Sequence, residues 1–229
     1  MSNYLHGAKK LLILGCSFGA VFLTGCASER HHAIAPETVE TYNTASTAEK
    51  VDLIVGVFEN RSNYQQGLFS SDTDRLGNQA KTILKTHLQQ TNRFKVMDRE
   101  NLEQIKHEAA LRGATQKLVG ARYTVTGDVT EFGRKVTGDH QLFGILGSAK
   151  KQTAYAKVSL NIVDVVTSEI VYSVQGAGEY EMSNREIVGF GGTAGYDATL
   201  NGKVLNFAIT EAVNHMVKDM QNGRWHVEL

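Results

Sequence analysis

The chain has 229 residues, with 24 lysine and arginine side chains against 24 aspartate and glutamate side chains. This balance lacks the basic excess typical of nucleic-acid binding, so we expect no nucleic-acid partner. The length suffices for one domain with a well-packed core. Both cysteines, Cys16 and Cys26, lie near the start, so the rest of the chain must fold without a disulfide.

The first segment has the parts of a secretory signal. Two lysines precede an apolar run from Leu11 to Leu23. A membrane-spanning helix needs about 20 apolar residues, so this shorter run predicts targeting rather than a membrane span. Thr24 and Gly25 directly before Cys26 resemble a bacterial lipobox. We therefore expect residues 1–25 to be removed and Cys26 to carry palmitate or similar acyl chains.

The residue after the cysteine bears on the location. Ala27 stands where an aspartate resembles the inner-membrane retention signal, so we expect an outer-membrane anchor with the globular part in the periplasm. More than one acyl chain on Cys26 makes such an anchor stable. The alternative is an ordinary signal peptide that a cysteine happens to follow.

The mature chain begins with a segment that differs from the rest. Residues 26–50 are small and polar and show no apolar periodicity, which predicts a lipid-anchored, flexible tether before a domain at 51–229. Apolar side chains alternate from Val51 to Phe58, as in a mostly buried strand. After a polar loop, apolar residues from Leu76 to Leu88 recur at spacings of three and four. They predict a helix that packs on the first strand.

The next elements alternate in the same way. A short strand at Phe94–Met97 precedes a second predicted helix, with Asp98 as its N-cap and Gly113 at its end. Thr167–Ser168 is a short link that predicts a hairpin between the strands on either side. The three further strands that the alternation predicts lie at 123–129, 158–162 and 169–174.

The last predicted helix, 204–217, has the broad apolar face of a helix buried against a sheet. The order βαβα, then strands, then α predicts a single α/β domain with two insertions. The insertions are glycine-rich stretches at about 131–157 and 176–198, each long enough for two transmembrane strands of about 9–11 residues. From the pattern alone, surface loops on a soluble domain are the better-supported interpretation.

Catalytic motifs are absent from the sequence. It contains no HExxH, GxSxG, P-loop or CxxC motif, which predicts a protein that is not an enzyme and needs no cofactor. The run Gly189–Gly195 lacks the preceding strand of a dinucleotide-binding turn. His31 and His32 lie in the tether, and the other histidines lack ligands at metal-binding spacings, so we expect no metal site.

Three segments resemble the CsgG family of outer-membrane lipoproteins. They read FKVMDRENL at 94–102, VSLNIVDVVTSEIVYSV at 158–174 and AGYDATLNGKVLNFAITEAV at 194–213, and the end of the final helix near Trp225 adds to them. The resemblance implies a periplasmic α/β domain that assembles into a homo-oligomeric ring. Each subunit would then give two β-hairpins, the two glycine-rich stretches, to a shared transmembrane β-barrel.

The same resemblance implies a function. In the family's curli channel, unfolded fibre subunits pass through the lumen. We therefore expect a secretion channel, or an assembly and transport component, for curli-like fibre subunits or another surface polymer, with accessory envelope proteins as further partners. The alternative is a non-pore, lipid-tethered periplasmic protein that binds or regulates an envelope partner.

The resemblance also points to a constriction. The family's channel narrows at a loop after the first strand, through tyrosine, asparagine and phenylalanine side chains. The corresponding loop here is shorter, and these residue types occur in a different order and spacing. A constriction lined by Asn63, Tyr64 and Phe69 is therefore a hypothesis.

Overall fold

The computed structural model describes residues 37–64, 74–140, 148–186 and 200–226. These residues form one sheet and three helices. The strands are β1 (Val51–Asn60), β2 (Phe94–Val96), β3 (Tyr123–His140), β4 (Ser148–Asp164) and β5 (Ile170–Glu186), and the helices are α1 (Arg75–Gln90), α2 (Leu102–Leu111) and α3 (Leu200–Gln221).

The sheet combines parallel and antiparallel pairs in the order β2-β1-β3-β4-β5. The strands β2 and β3 pair parallel with β1 on either side, whereas β3, β4 and β5 form an antiparallel meander. The mixed α/β fold expected from the order of elements is therefore confirmed. Parallel pairs need a crossover helix between them, and α1 and α2 supply it.

The core lies on one face of the sheet. In β4, every second side chain from Ala154 to Ile162 is buried. The helix α3 packs against this face of both β4 and β5. The strand β1 packs against α1, where Ala80, Leu84 and Leu88 are fully buried. Full burial of a leucine side chain contributes about 1.5–3 kcal/mol, so this layer holds the domain together without a disulfide.

An aromatic cluster closes the core beside the end of α3. Trp225 is 3% exposed, and its ring lies 5.3 Å from that of Tyr172 and 6.3 Å from that of Phe94, centroid to centroid. The Tyr172 hydroxyl donates to Asp219 Oδ2 at 2.9 Å. Burial and this carboxylate raise the pKa of Tyr172. The cluster therefore joins β2 and β5 to the last turn of α3.

The helix α2 does not pack as its pattern suggests. None of its residues is buried, and Ile105 and Leu111 are 40% and 69% exposed. The apolar spacing therefore predicts that the helix forms, but the apolar side of the helix is not buried against another element of the described residues. Asp98 is not the N-cap: its Oδ1 accepts from Glu100 N–H, before the helix begins. Gly113 does end the helix, with a φ of 68°.

Part of the predicted tether contacts the domain. Within 37–50, Val39 is buried, the Glu40 N–H donates to Asn214 Oδ1 at 2.9 Å, and Asn92 Nδ2 donates to the Thr44 carbonyl at 3.3 Å. These contacts link the segment to α3 and to the end of α1. No helix within the described ranges combines the length and the apolar character needed to cross a membrane.

Candidate functional site: the arm of the sheet

The antiparallel strands continue as a ribbon, which we call the arm: residues 131–140, 148–157 and 177–186. The pairing runs from Glu131↔Lys157 to His140↔Ser148, and Ser148 also pairs with Glu186 of β5. The first glycine-rich stretch and the start of the second are therefore continuations of β3, β4 and β5. Residues 141–147 and 187–198, the remainder of these stretches, lie outside the described residues.

The arm begins where β3 leaves β1. The last pairing between these two strands is Asn60↔Val129, and the Arg61 N–H donates to the Val129 carbonyl at 3.0 Å. Thr130 is then an extra residue, because the β3–β4 register shifts between Val129 and Glu131. Beyond this bulge, no described strand other than β4 pairs with β3. Among the residues that the structure describes, no further strand pairs with the arm beyond β3 on one side or beyond β5 on the other.

The start of α3 holds the base of the arm. Arg134 Nε donates to Asn201 Oδ1 at 2.8 Å. Tyr180 stacks on Phe207 with a centroid separation of 6.2 Å, and Lys203 Nζ lies 4.9 Å from the centre of the Tyr180 ring. These contacts connect α3 to both outer strands of the arm, so the orientation of the arm depends on the position of α3.

Two glycines let α3 lie directly on the backbone of β5. A Cβ at Gly176 would lie 2.5 Å from Ala212 N and would also meet the Ala208 carbonyl oxygen. A Cβ at Gly178 would lie 2.7 Å from both Ala208 N and the Val204 carbonyl oxygen. Only glycine fits such an approach, which explains the glycine content here without a flexible loop.

Many described side chains on the other face of β3, β4 and β5 are exposed, and they include Tyr155 and Val171 as well as charged groups. Ion pairs cross this face: Lys157–Glu131 at 2.7 Å joins β4 to β3, and Lys151–Glu181 at 2.6 Å joins β4 to β5. Such exposed pairs contribute only about 0–1 kcal/mol each, so their main consequence is that this face suits water rather than lipid.

Two of the three predicted constriction residues, Asn63 and Tyr64, lie among the described residues. Asn63 is exposed, and Tyr64 is half-buried, with its ring 4.6 Å from that of Phe132 in β3. Phe69 lies outside the described residues, as do His31, His32 and Cys26, the predicted lipidation residue. The sequence pattern gave no signal for the Tyr64–Phe132 contact, because its two residues belong to elements far apart in the chain.

The described residues contain no group of three or more histidine, cysteine, aspartate or glutamate side chains that could hold a metal ion. His87 is the buried histidine. Its Nε2 lies 2.8 Å from Asn206 Oδ1 and 3.1 Å from Thr210 Oγ1, and its Nδ1 lies 3.2 Å from Gln90 Oε1. These contacts join α1 to α3 and give His87 a structural role.

The described residues form a mixed α/β domain in which β3, β4 and β5 extend past the end of β1. A family model described as "Curli production assembly/transport component CsgG" matches residues 36–229. A Neisseria meningitidis serogroup B protein named "Putative lipoprotein NMB1126/NMB1164" is 63% identical over 206 residues, which cover 90% of this chain and 92% of that protein. The chain belongs to the CsgG family, and these two matches support an envelope lipoprotein of the CsgG type.

Solved structures show more distant likenesses. A PelC dodecamer from Paraburkholderia phytofirmans has a TM-score of 0.34 and 16% identity, covering 72% of this chain and 86% of that chain. The lipoprotein GNA1162 from Neisseria meningitidis has a TM-score of 0.32 and 12% identity, covering 75% of this chain and 99% of that chain.

Proposed function

We propose that this chain is an outer-membrane lipoprotein, anchored through Cys26, that forms a homo-oligomeric ring. The ring acts as a secretion channel or assembly component for curli-like fibre subunits or another surface polymer. The observation that carries the proposal is the arm, in which the described parts of β3 and β5 have no further strand paired on their outer sides. Membership in the CsgG family also supports this proposal.

Open edges require a partner. An unpaired strand edge leaves N–H and C=O groups without hydrogen bonds, which water tolerates but a hydrocarbon layer does not. Pairing between the arms of neighbouring copies removes both edges at once. A closed ring of copies leaves no free edge, whereas a single copy always leaves two.

The direction of the strands calls for a fourth strand in each copy. The strands β3 and β5 run the same way, so an antiparallel closure needs a strand that returns beside β5. The predicted hairpin at 176–198 would supply this strand from its second half, 187–198, which lies outside the described residues.

The polar face of the sheet suits the lumen of such a channel. Its ion pairs, Lys157–Glu131 and Lys151–Glu181, face water in the single chain and remain hydrated in a water-filled pore. We keep Asn63, Tyr64 and Phe69 as the candidate constriction, since the Tyr64 ring packs on Phe132 at the base of the arm.

The test removes part of the arm and leaves the body intact. Arg134 and Ala154 are paired directly, so an Asn-Gly turn can replace residues 135–153. The control inserts the same two residues after Gly113, which has free space around it. Light scattering and negative-stain images of the lipidated protein in mild detergent give the mass and shape, and planar bilayers give the conductance.

We expect a large ring with a central hole and stable conductance for the wild-type and control proteins, and no conductance for the truncated protein. A wild-type particle of one or two subunits that does not conduct would contradict the channel. That result would favour the non-pore, tethered protein that binds an envelope partner.

A further inference from the structure

We propose that Asp74 and Asn60 are positioning residues that clamp the two ends of the loop 61–73 and fix its start against the arm. This inference rests on the proposed channel, because it explains how a constriction keeps a defined width. It concerns the stem of the loop and not the side chains that line the pore.

The clamp is one carboxylate that binds two elements. Asp74 Oδ2 accepts from the Asn60 N–H at 2.6 Å, and Asp74 Oδ1 accepts from the Gly77 N–H at 2.8 Å. Asn60 ends β1, and Gly77 lies in the first turn of α1. Both oxygens are therefore used, one on each side of the loop, and charge makes both bonds stronger than neutral ones.

Gly77 provides independent support, because α1 could not start this close to β1 with another residue there. A Cβ at Gly77 would lie 2.5 Å from the Phe58 carbonyl oxygen and would also collide with the Asp74 carboxylate. Glycine thus brings the helix start against the end of the strand. The ends of the loop meet as they do in the compact Ω-loops that often carry function.

The Asn60 side chain also binds the first residues of the loop. Its Oδ1 accepts from Ser62 N–H at 3.1 Å and from Ser62 Oγ at 2.6 Å, and its Nδ2 donates to the Tyr64 carbonyl at 3.2 Å. Ser62 is only 3% exposed. The stem is therefore built by hydrogen bonds and burial as far as Tyr64.

The stem then reaches the arm. The Tyr64 ring packs on Phe132, two residues beyond the bulge in β3. The clamp, the Asn60 side chain and this ring contact together tie the loop to the base of the arm. In a ring of identical copies, every loop would then begin at the same place relative to its own arm.

Asp74→Asn separates the clamp from the helix cap. Asparagine caps a helix about as well as aspartate, so its oxygen can still accept from Gly77. Its amide group then faces the Asn60 N–H, and two donors cannot bond. Asp74→Ala loses both bonds. Tyr64→Ala removes the ring contact with the arm, and Tyr64→Phe retains the ring as the matched control.

We would measure single-channel currents of the full lipidated protein in planar bilayers, and hydrogen exchange of the backbone amides of Asn60, Ser62 and Tyr64. For Asp74→Asn we expect an unchanged ring, about tenfold faster exchange at Asn60, and a wider spread of open-channel conductance than in the wild type. Tyr64→Ala should widen the conductance spread similarly, and Tyr64→Phe should match the wild type.

If Asp74→Asn matched the wild type in both hydrogen exchange and conductance spread, the inference would be overturned and the channel would stand. So would a change seen only in Asp74→Ala, because loss of the helix cap would then explain it. A wild-type protein that never conducts would overturn the proposed function and, with it, the constriction role of the clamp. Hydrogen exchange would still show whether the clamp itself forms.

Discussion

The contact between α3 and β5 gives the sharpest stability prediction. In Gly176→Ala, the new methyl carbon would lie 2.5 Å from Ala212 N and 2.9 Å from Ala212 Cβ. Non-bonded carbon atoms pack at separations of about 3.5 Å or more, so α3 has to move by roughly 1 Å. Overpacking of this kind costs about 1–3 kcal/mol of unfolding free energy.

For a domain of this size, each kcal/mol lowers the unfolding temperature by about 2–4 °C, so Gly176→Ala should unfold roughly 2–12 °C below the wild type. The single tryptophan, Trp225, is buried in the aromatic cluster, and its fluorescence reports unfolding directly. Gly120→Ala is the matched control, because a Cβ there meets nothing within 4 Å. We expect it to change stability by less than about 0.5 kcal/mol. Equal unfolding temperatures for the two variants would refute the close approach of helix and strand.

Three further predictions address other parts of the molecule. The pKa of Tyr172 is raised in the folded state, so its contribution to stability is complete below the unfolded pKa of about 10 and is lost as pH rises above it. Between pH 8 and pH 11, the unfolding temperature should therefore fall more steeply for the wild type than for Tyr172→Phe. His87→Ala leaves Asn206 and Thr210 short of a partner in the core and should cost roughly 1–3 kcal/mol, measured by urea unfolding. Cys26→Ser should abolish incorporation of labelled palmitate and release the protein from membranes, and retained label would contradict the lipid anchor.

The sequence predicts most elements of the body. Strong periodicity marks β1, α1 and α3, and each forms within a few residues of its expected position. These elements bury one continuous face, and burial is the property that periodicity encodes. The hairpin at Thr167–Ser168 also forms. Its turn places Ser168 at a φ of 61°, and Asp164 Oδ1 accepts from the Val166 and Thr167 N–H groups.

The extent of the later strands was not predictable in the same way. Periodicity predicts short strands at 123–129 and 158–162, whereas β3 and β4 have 18 and 17 residues. The bulge at Thr130 shifts the alternation by one residue, so Phe132 is buried where the earlier pattern expects an exposed side chain. The glycines of β5 serve close packing under α3, although in the sequence they resemble loop residues. The contacts of the candidate site, such as Asp74 with Asn60, join residues that no local pattern relates.

The bulge at Thr130 is the point beyond which β3 no longer pairs with β1, although Phe132 still lies in the core. Before it, β3 lies between β1 and β4; beyond it, β4 is the neighbour that the described residues provide. A bulge bends its strand and increases the local twist. Here it also shifts the alternation of β3 by one residue, so that Phe132 is buried. The extra residue therefore turns Phe132 towards the core, where its ring meets that of Tyr64.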